Sequence, residues 1–405
     1  MPAATDIPKP DSSDASPARW LTPGRICFYA GTLLVLECLV IAAWWYSHAI
    51  IANPTVPGMG WDFVVYWCAS GLAQLHGAPA AYDWELLRAA ERSLLPTTFG
   101  PFAYPPTFLL LIYPLALLPF GLALVLFSLA GIAAYLGYLR TVIGRLHRYW
   151  FVPALAFPGV WTALIAGQNS LFTAVAAGGA CWLMRRRPIA AGACIALLCV
   201  KPQLGVLFPL MLLCERRWVA FAAAAGFSAL FVGLTTLAFG PDIYPAFFRS
   251  MAMFREAVAI HSGILRGAPT IFGMLRVAGF GVPLAYGLHA ALALCAVAAC
   301  VWMWCARVRP ALGASALVVG TLLVQPYLIY YDLAWLAIPL ALLCADMIQH
   351  GSRAWERLLL TITWIVPAQA MSPLVIEGMP QFTPFVLAGL LALIVSRHQS
   401  ASARS

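Results

Sequence analysis

From Ile26 to Val395 the chain is a succession of apolar runs, each cut off by a short polar or arginine-bearing stretch. A bilayer needs about 20 apolar residues per helical crossing, and inside it only a helix or a closed barrel satisfies its own backbone groups. The chain is therefore expected to be all-α and polytopic, a transmembrane helical bundle of about 12 membrane helices with further helices in outward loops. The overall balance agrees: 62% of the 405 residues are hydrophobic and 10% charged, where a soluble domain holds about a quarter charged residues.

The net charge of +9 falls in short clusters between apolar runs: Arg140, Arg145 and Arg148; Arg185, Arg186 and Arg187; Arg216 and Arg217; Arg307 and Arg309; Arg353 and Arg357; Arg397 and Arg404. Basic residues in short loops mark the cytoplasmic side, so these clusters set topology and form no nucleic-acid-binding stripe. They place both termini in the cytoplasm and turn loops 51–105 and 241–283 outward, toward the periplasmic face of a cell inner membrane. Residues 1–25 read as a disordered cytoplasmic tail, because Met1 to Arg19 is rich in Pro, Ser and Asp and lacks the apolar stretch of a signal peptide. Residues 26–396 then form one membrane domain and 397–405 a second tail. Nearly all of the eleven cysteines lie inside apolar runs as packing groups, and neither a disulfide framework nor a metal cluster is indicated.

The first crossing is expected from Ile26 to Ile50. Phe63–Leu75 and Trp84–Leu95 are predicted as amphipathic helices on the membrane surface, and Thr107–Leu118 as a partial or re-entrant element within the segment Thr107–Tyr138. Further helices are predicted at Trp150–Ala166, Leu171–Met184, Ile189–Val200, Leu204–Cys214, Val219–Phe239, Leu284–Cys305, Leu312–Val324, Ala334–Met347, Leu358–Met371 and Phe382–Val395. Several are short: about 13 residues rise only about 20 Å against a hydrocarbon core of about 30 Å, and helices that stop partway leave a hollow in the membrane.

Function is expected in two places. The loop from Asn53 to Pro106 is far longer than a turn between two crossings requires, and long ordered loops are usually functional. Elsewhere Gly167-Gln168-Asn169, Lys201-Pro202-Gln203, Gln325-Pro326-Tyr327 and Tyr330-Tyr331-Asp332 each interrupt an apolar run between two arginine-marked loops, which puts all four on the side of Asp62. Polar groups at membrane depth are tolerated where they line an enclosed or watery hollow.

Of the two lysines, Lys9 lies in the tail and Lys201 between Val200 and Pro202. A lone ammonium in apolar surroundings needs a partner, and a lipid-borne phosphate suits it; snorkelling to the interface is the plainer alternative. Asp62 fits a general base taking a proton from a hydroxyl, or simply a helix N-cap, and Asp332 has the same two readings. Gln168, Asn169, Gln203, Tyr104 and Tyr331 are candidate substrate-binding residues, with interhelical hydrogen bonding as the ordinary role for the amides. Glu37, mid-span, is expected to pair inside the bundle, and Glu256 and His261 on the second loop are lesser candidates.

Gly60-Trp61-Asp62-Phe63 with Tyr66, Ala81-Tyr82-Asp83, Tyr104-Pro105-Pro106, Leu118-Pro119-Phe120, Gly167-Gln168-Asn169, Lys201-Pro202-Gln203 and Tyr331-Asp332 follow one another in an order that resembles glycosyltransferase family 87. These polytopic enzymes are related to polyprenyl-phosphate-mannose-dependent mannosyltransferases and have the type C membrane glycosyltransferase fold. The resemblance covers Ile26 to Val395. It implies a hexosyltransferase moving a sugar, mannose above all, from a polyprenyl-phosphate-linked donor to an envelope lipid or glycan acceptor, with inversion at the anomeric carbon. Position by position it makes Asp62 the base, gives Lys201 the donor phosphate and lets Gln168 and Asn169 shape the sugar site. Some members carry His where this chain has Tyr330, Tyr331 and Asp332, which leaves the donor open. No cofactor is implied, although some enzymes of this fold use a divalent cation. Two rival classes stand beside it: a transporter or flippase of lipid-linked sugars, for which no internal repeat is visible, and an assembly subunit of an envelope complex.

Overall fold

The computed structural model describes residues 22–51, 58–95, 99–144, 148–260, 262–306, 308–369 and 382–402, and among them every regular element is helical. Helix α1 (Pro23–Ala49) leads to α2 (Phe63–His76), α3 (Trp84–Leu94), the short α4 (Pro106–Ile112) and α5 (Phe120–Ile143). The middle of the chain is divided into α6 (Phe151–Leu155), α7 (Pro158–Ala166), α8 (Ser170–Leu183), α9 (Pro188–Ala196), α10 (Leu207–Cys214) and the long α11 (Trp218–Phe239). Then come α12 (Ile243–Ile260), α13 (Ile271–Val277), α14 (Val282–Cys305), α15 (Pro310–Val324), α16 (Ala337–His350), α17 (Ala354–Ile365) and α18 (Thr383–Ser402).

Among the described residues five segments are long and apolar enough to cross a membrane: Gly24–Ala49, Phe120–Ile143, Trp218–Phe239, Val282–Cys305 and Tyr330–His350. The chain is a multi-pass membrane protein. Shorter apolar pieces lie between them, at Pro106–Leu117, Ser170–Leu183, Pro188–Val200, Pro202–Cys214 and Pro310–Val324.

Proline sets many of the breaks. It opens α4, α7, α9 and α15, where its missing N–H is no loss, and it pushes the preceding residue out of the helical region. Phe157 before Pro158 is extended, so Trp150–Ala166, expected as one helix, is split into α6 and α7. Leu118-Pro119 likewise separates α5 from α4 and the 3-10 turn Tyr113–Leu117, the short element expected ahead of that crossing.

Helix α2 departs from expectation more instructively. Its bounds fall where the sequence puts them, but it is no surface helix: Phe63, Val64, Tyr66 and Ala69 are fully buried. Apolar residues cover nearly its whole circumference, which marks a helix enclosed by protein, and it packs on α3, α4 and the 78–82 and 113–117 turns. The second loop, 241–283, is helical too, carrying α12, a turn over Ser262–Gly267 and α13; His261 lies outside the described residues, as do Met1–Arg19, Arg145, Arg307 and Arg404. Glu37 does not pair as expected: among the described residues its buried Oε2 has no partner. Arg397, assigned to the C-terminal tail, is a buried residue of α18 and binds Asp346 and, through Nη1, both oxygens of Glu356, while Arg309 holds the other oxygen of Asp346.

Two cores meet where the candidate residues gather. The larger, around Trp304, Leu317 and Trp335, includes Leu198 and Leu204; the smaller, around Phe63, Tyr66 and Phe108, includes Val200. Lys201 therefore sits on the seam between them.

Candidate active site

The site starts from a close approach of two backbones. The N–H groups of Gly60 and Asp62 donate to the carbonyls of Ile165 (2.8 Å) and Ala166 (3.0 Å), so the first loop is bonded to the last turn of α7. Gly60 and Gly167 both hold positive φ, at 78° and 72°, a region costly for residues with a Cβ. A Cβ on Gly167 would stand 2.5 Å from the Cβ of Phe63 and 3.3 Å from the Cα of Gly60. Gly167→Ala is accordingly expected to lose about 2–4 kcal/mol, the sum of αL strain and overpacking. Thermal unfolding beside Gly226→Ala, where a Cβ meets nothing within 4 Å, checks this; the Gly226 variant should be neutral or slightly stabilised.

Gly167 ends α7 in the left-handed conformation and turns Gln168 inward, buried to 5% exposure. Its amide bridges the site. Oε1 accepts from the hydroxyls of Tyr66 (2.5 Å) and Tyr104 (2.9 Å) and lies 3.5 Å from Lys201 Nζ, while Nε2 donates to Asp62 Oδ2 at 2.9 Å. These partners fix which way the amide faces, since its NH₂ could not point at an ammonium.

Lys201 stands in a break between two 3-10 turns, Leu197–Val200 and Pro202–Gly205, a break that Pro202 enforces. It is 3% exposed, and Nζ donates to Asp332 Oδ1 at 2.8 Å, so it does not snorkel. The same carboxylate oxygen accepts from Ser170 Oγ at 2.7 Å. The rings of Tyr331 (4.9 Å) and Tyr104 (5.7 Å) flank the ammonium, a favourable cation–π setting.

Neither aspartate is a helix cap. Asp62 occupies the N-cap position of α2 but its side chain makes no capping bond; Asp332 makes none either and spends an oxygen on Lys201 and Ser170. Burial pushes the Asp62 carboxyl up to about 6, against the pull of the Gln168 hydrogen bond and the Lys201 charge. It is thus a carboxylate that takes a proton readily near neutral pH, the property a general base needs.

Among the residues picked from sequence, the structure brings Asp62, Gln168, Lys201, Asp332, Tyr104 and Tyr331 into one cluster. Asn169 is adjacent, 2% exposed, with both amide atoms unpartnered among the described residues. Gln203 stays outside: it is exposed, and only its carbonyl is engaged, by the Gln325 amide. Two members had been given no role, Ser170 and Tyr66, the latter named only within the family resemblance. Their signals were adjacency to Gln168-Asn169 and a position one helical turn after Asp62. Among the described residues no three His, Cys, Asp or Glu side chains come together as a metal site would require.

The sequence model of glycosyltransferase family 87 matches residues 102–326, more than half of the chain. That stretch contains Tyr104, Gln168, Asn169, Lys201 and Gln203; Asp62 precedes it and Tyr331 and Asp332 just follow it. The polyprenol-phosphate-mannose-dependent alpha-(1-2)-phosphatidylinositol pentamannoside mannosyltransferase of Mycolicibacterium smegmatis is 28% identical over 233 residues, 56% of this chain and 53% of that protein. The chain thus spans about half the length of the curated relative it matches. No solved structure matches it.

Proposed function

The chain belongs to glycosyltransferase family 87, and from that premise we propose that it moves a hexose, mannose, from a polyprenyl-phosphate donor to an envelope lipid or glycan acceptor, with inversion, at the outer face of the cell inner membrane. One observation carries the proposal: a carboxylate and an ammonium, Asp62 and Lys201, stand one amide and two hydrogen bonds apart across Gln168. The short helices on either side, among about 12 crossings in all, leave room for a lipid head group to enter from the bilayer.

In this scheme the acceptor hydroxyl gives its proton to Asp62 as its oxygen attacks the anomeric carbon. The bond to the lipid phosphate breaks on the opposite face, and the negative charge gathering on the departing phosphate is met by Lys201. A lipid phosphate already leaves well, so the protein supplies orientation, a base and a cation, with no covalent intermediate. Gln168 fixes the separation of base and cation, and Tyr104 and Tyr331 hold the ammonium in place. The unpartnered amide of Asn169 is free to take sugar hydroxyls, because a buried polar group without a partner gains most from a ligand that supplies one. Asp332 keeps Lys201 charged before the donor arrives and draws it back once the lipid phosphate has left.

Incubating the purified protein in lipid nanodiscs with a radiolabelled polyprenyl-phosphate mannose and extracted envelope lipids tests this reading. Labelled product with the anomeric configuration opposite to the donor's is expected. Donor left intact with every lipid fraction, or a product of retained configuration, would count against it.

A further inference from the structure

Helices α5 and α8 run side by side in the same direction. Phe127 packs on Phe172 with ring centroids 5.0 Å apart, Gly131 faces Leu171, and Gly178 faces the ring of Tyr138. Helix α8 begins at Ser170, beside Lys201 and Asp332, and at 1.5 Å per residue it carries the chain about 20 Å away from them. At that far end lies a recess of about 590 Å³ lined by Gly137, Arg140, Thr141, Gly144, Trp182 and Arg186.

The lining has a definite chemistry. It holds two guanidinium groups, a hydroxyl and an indole, and no carboxylate. Among the described residues the guanidinium of neither Arg140 nor Arg186 has an ion-pair or hydrogen-bond partner, unlike those of Arg217, Arg309 and Arg397, each held by an acid. A Cβ on Gly137 would meet nothing within 4 Å, so the recess is open at its floor. Above it, α5 presents exposed Leu122, Val125, Leu126 and Leu129, a surface suited to acyl chains. Arginine forks match phosphate oxygens, tryptophan settles at the head-group level, and basic pockets between membrane helices hold anionic head groups.

We propose that this recess binds the phosphate of an anionic lipid head group, a site separate from the sugar-transfer cluster and at the other end of the α5–α8 pair. Arg140 and Arg186 grip the phosphate oxygens, Thr141 adds a hydroxyl, and Trp182 packs on the glycerol region. The inference does not rest on the proposed reaction.

Native mass spectrometry of the full chain with phosphatidylglycerol or phosphatidylcholine added tests it. Each charge-assisted contact to a phosphate is worth about tenfold in binding, so Arg140→Gln/Arg186→Gln, which removes two of them, should weaken phosphatidylglycerol about 100-fold and leave phosphatidylcholine unchanged. Gly137→Phe, which fills the recess and keeps both charges, should weaken it as well. Arg185→Gln/Arg187→Gln removes equal charge from the neighbouring turn without touching the lining, and should have little effect. Millimolar inorganic phosphate displacing the lipid would identify free phosphate as a second occupant of the same anion site; failure to displace it assigns the site to the lipid alone. Equal losses in both arginine pairs would mean surface attraction only, and undiminished phosphatidylglycerol binding in the lining variant would likewise overturn the proposal.

Discussion

Lys201→Met is expected to abolish detectable sugar transfer and to destabilise the protein by about 3–5 kcal/mol, because it leaves the Asp332 carboxylate buried without its ion partner. Asp332 is 5% exposed and would keep only the Ser170 hydroxyl, too little to offset the loss of hydration. Adding Asp332→Asn removes the stranded charge, so the double variant should recover most of the stability, read by thermal unfolding, while transfer stays absent. That pattern separates two roles of one side chain. If Lys201 served packing alone, stability and transfer would return together. If the pair were dispensable for folding, the single variant would unfold at the wild-type temperature.

Asp62→Asn should act the other way round. Removing a positioned general base reduces turnover by about 10²–10⁴, and here the asparagine oxygen can still accept from Gln168, so the frame is kept. The native carboxyl sits near 6 instead of its ordinary value of 3.8 because burial disfavours the charged form. Between those values the native state holds more protons than the unfolded chain, so this group's contribution to stability declines as pH rises from about 4 to about 6 and stays unfavourable above. Above pH 6 Asp62→Asn is therefore expected to melt no lower than wild type, and higher if the carboxylate is as poorly solvated as its surroundings indicate. Wild-type transfer should climb as pH rises through about 6, when the base becomes free to accept a proton. Turnover by Asp62→Asn should show no such rise. A less active, more stable variant is the mark of a residue kept for chemistry at the expense of stability.

How much of this was legible in the sequence depends on what periodicity and composition can report. The class of fold followed from apolar run length, and the breaks at Gly167, Lys201 and Tyr330 followed from polar residues and prolines interrupting those runs. Gln168, Lys201 and Asp332 stand out for one reason, that a polar group inside an apolar run must be compensated, and Asp62 for another, its place in a first loop too long for a turn. The identity of the compensating group was out of reach. Lys201 was expected to await a lipid phosphate, yet it already holds Asp332, 131 residues further on, a pairing that only tertiary packing creates.

The same limit explains the misreadings. Helix α2 reads in sequence as an amphipathic surface element, but its large apolar residues are buried and enclosed by α3, α4 and two turns. Arg397 looked like part of a tail because it follows the last apolar run; its place is set by Asp346 and Glu356, acids from two other helices. Gln203 was selected for its neighbours in the chain, and a 3-10 turn carries it away from Lys201 to the exposed side. Ser170 was passed over because a serine at the start of a helix is an ordinary sight, and only its 2.7 Å bond to Asp332 marks it.

Equilibrium binding of a fluorescent polyprenyl-phosphate mannose to the protein in nanodiscs addresses the central claim, that Lys201 receives the donor phosphate while Asp62 serves the acceptor. The account predicts that Asp62→Asn binds the donor as tightly as wild type, and that Lys201→Met/Asp332→Asn, folded but without the ammonium, binds it at least tenfold more weakly, the loss of one charge-assisted contact. Wild-type donor affinity in the pair variant would contradict it.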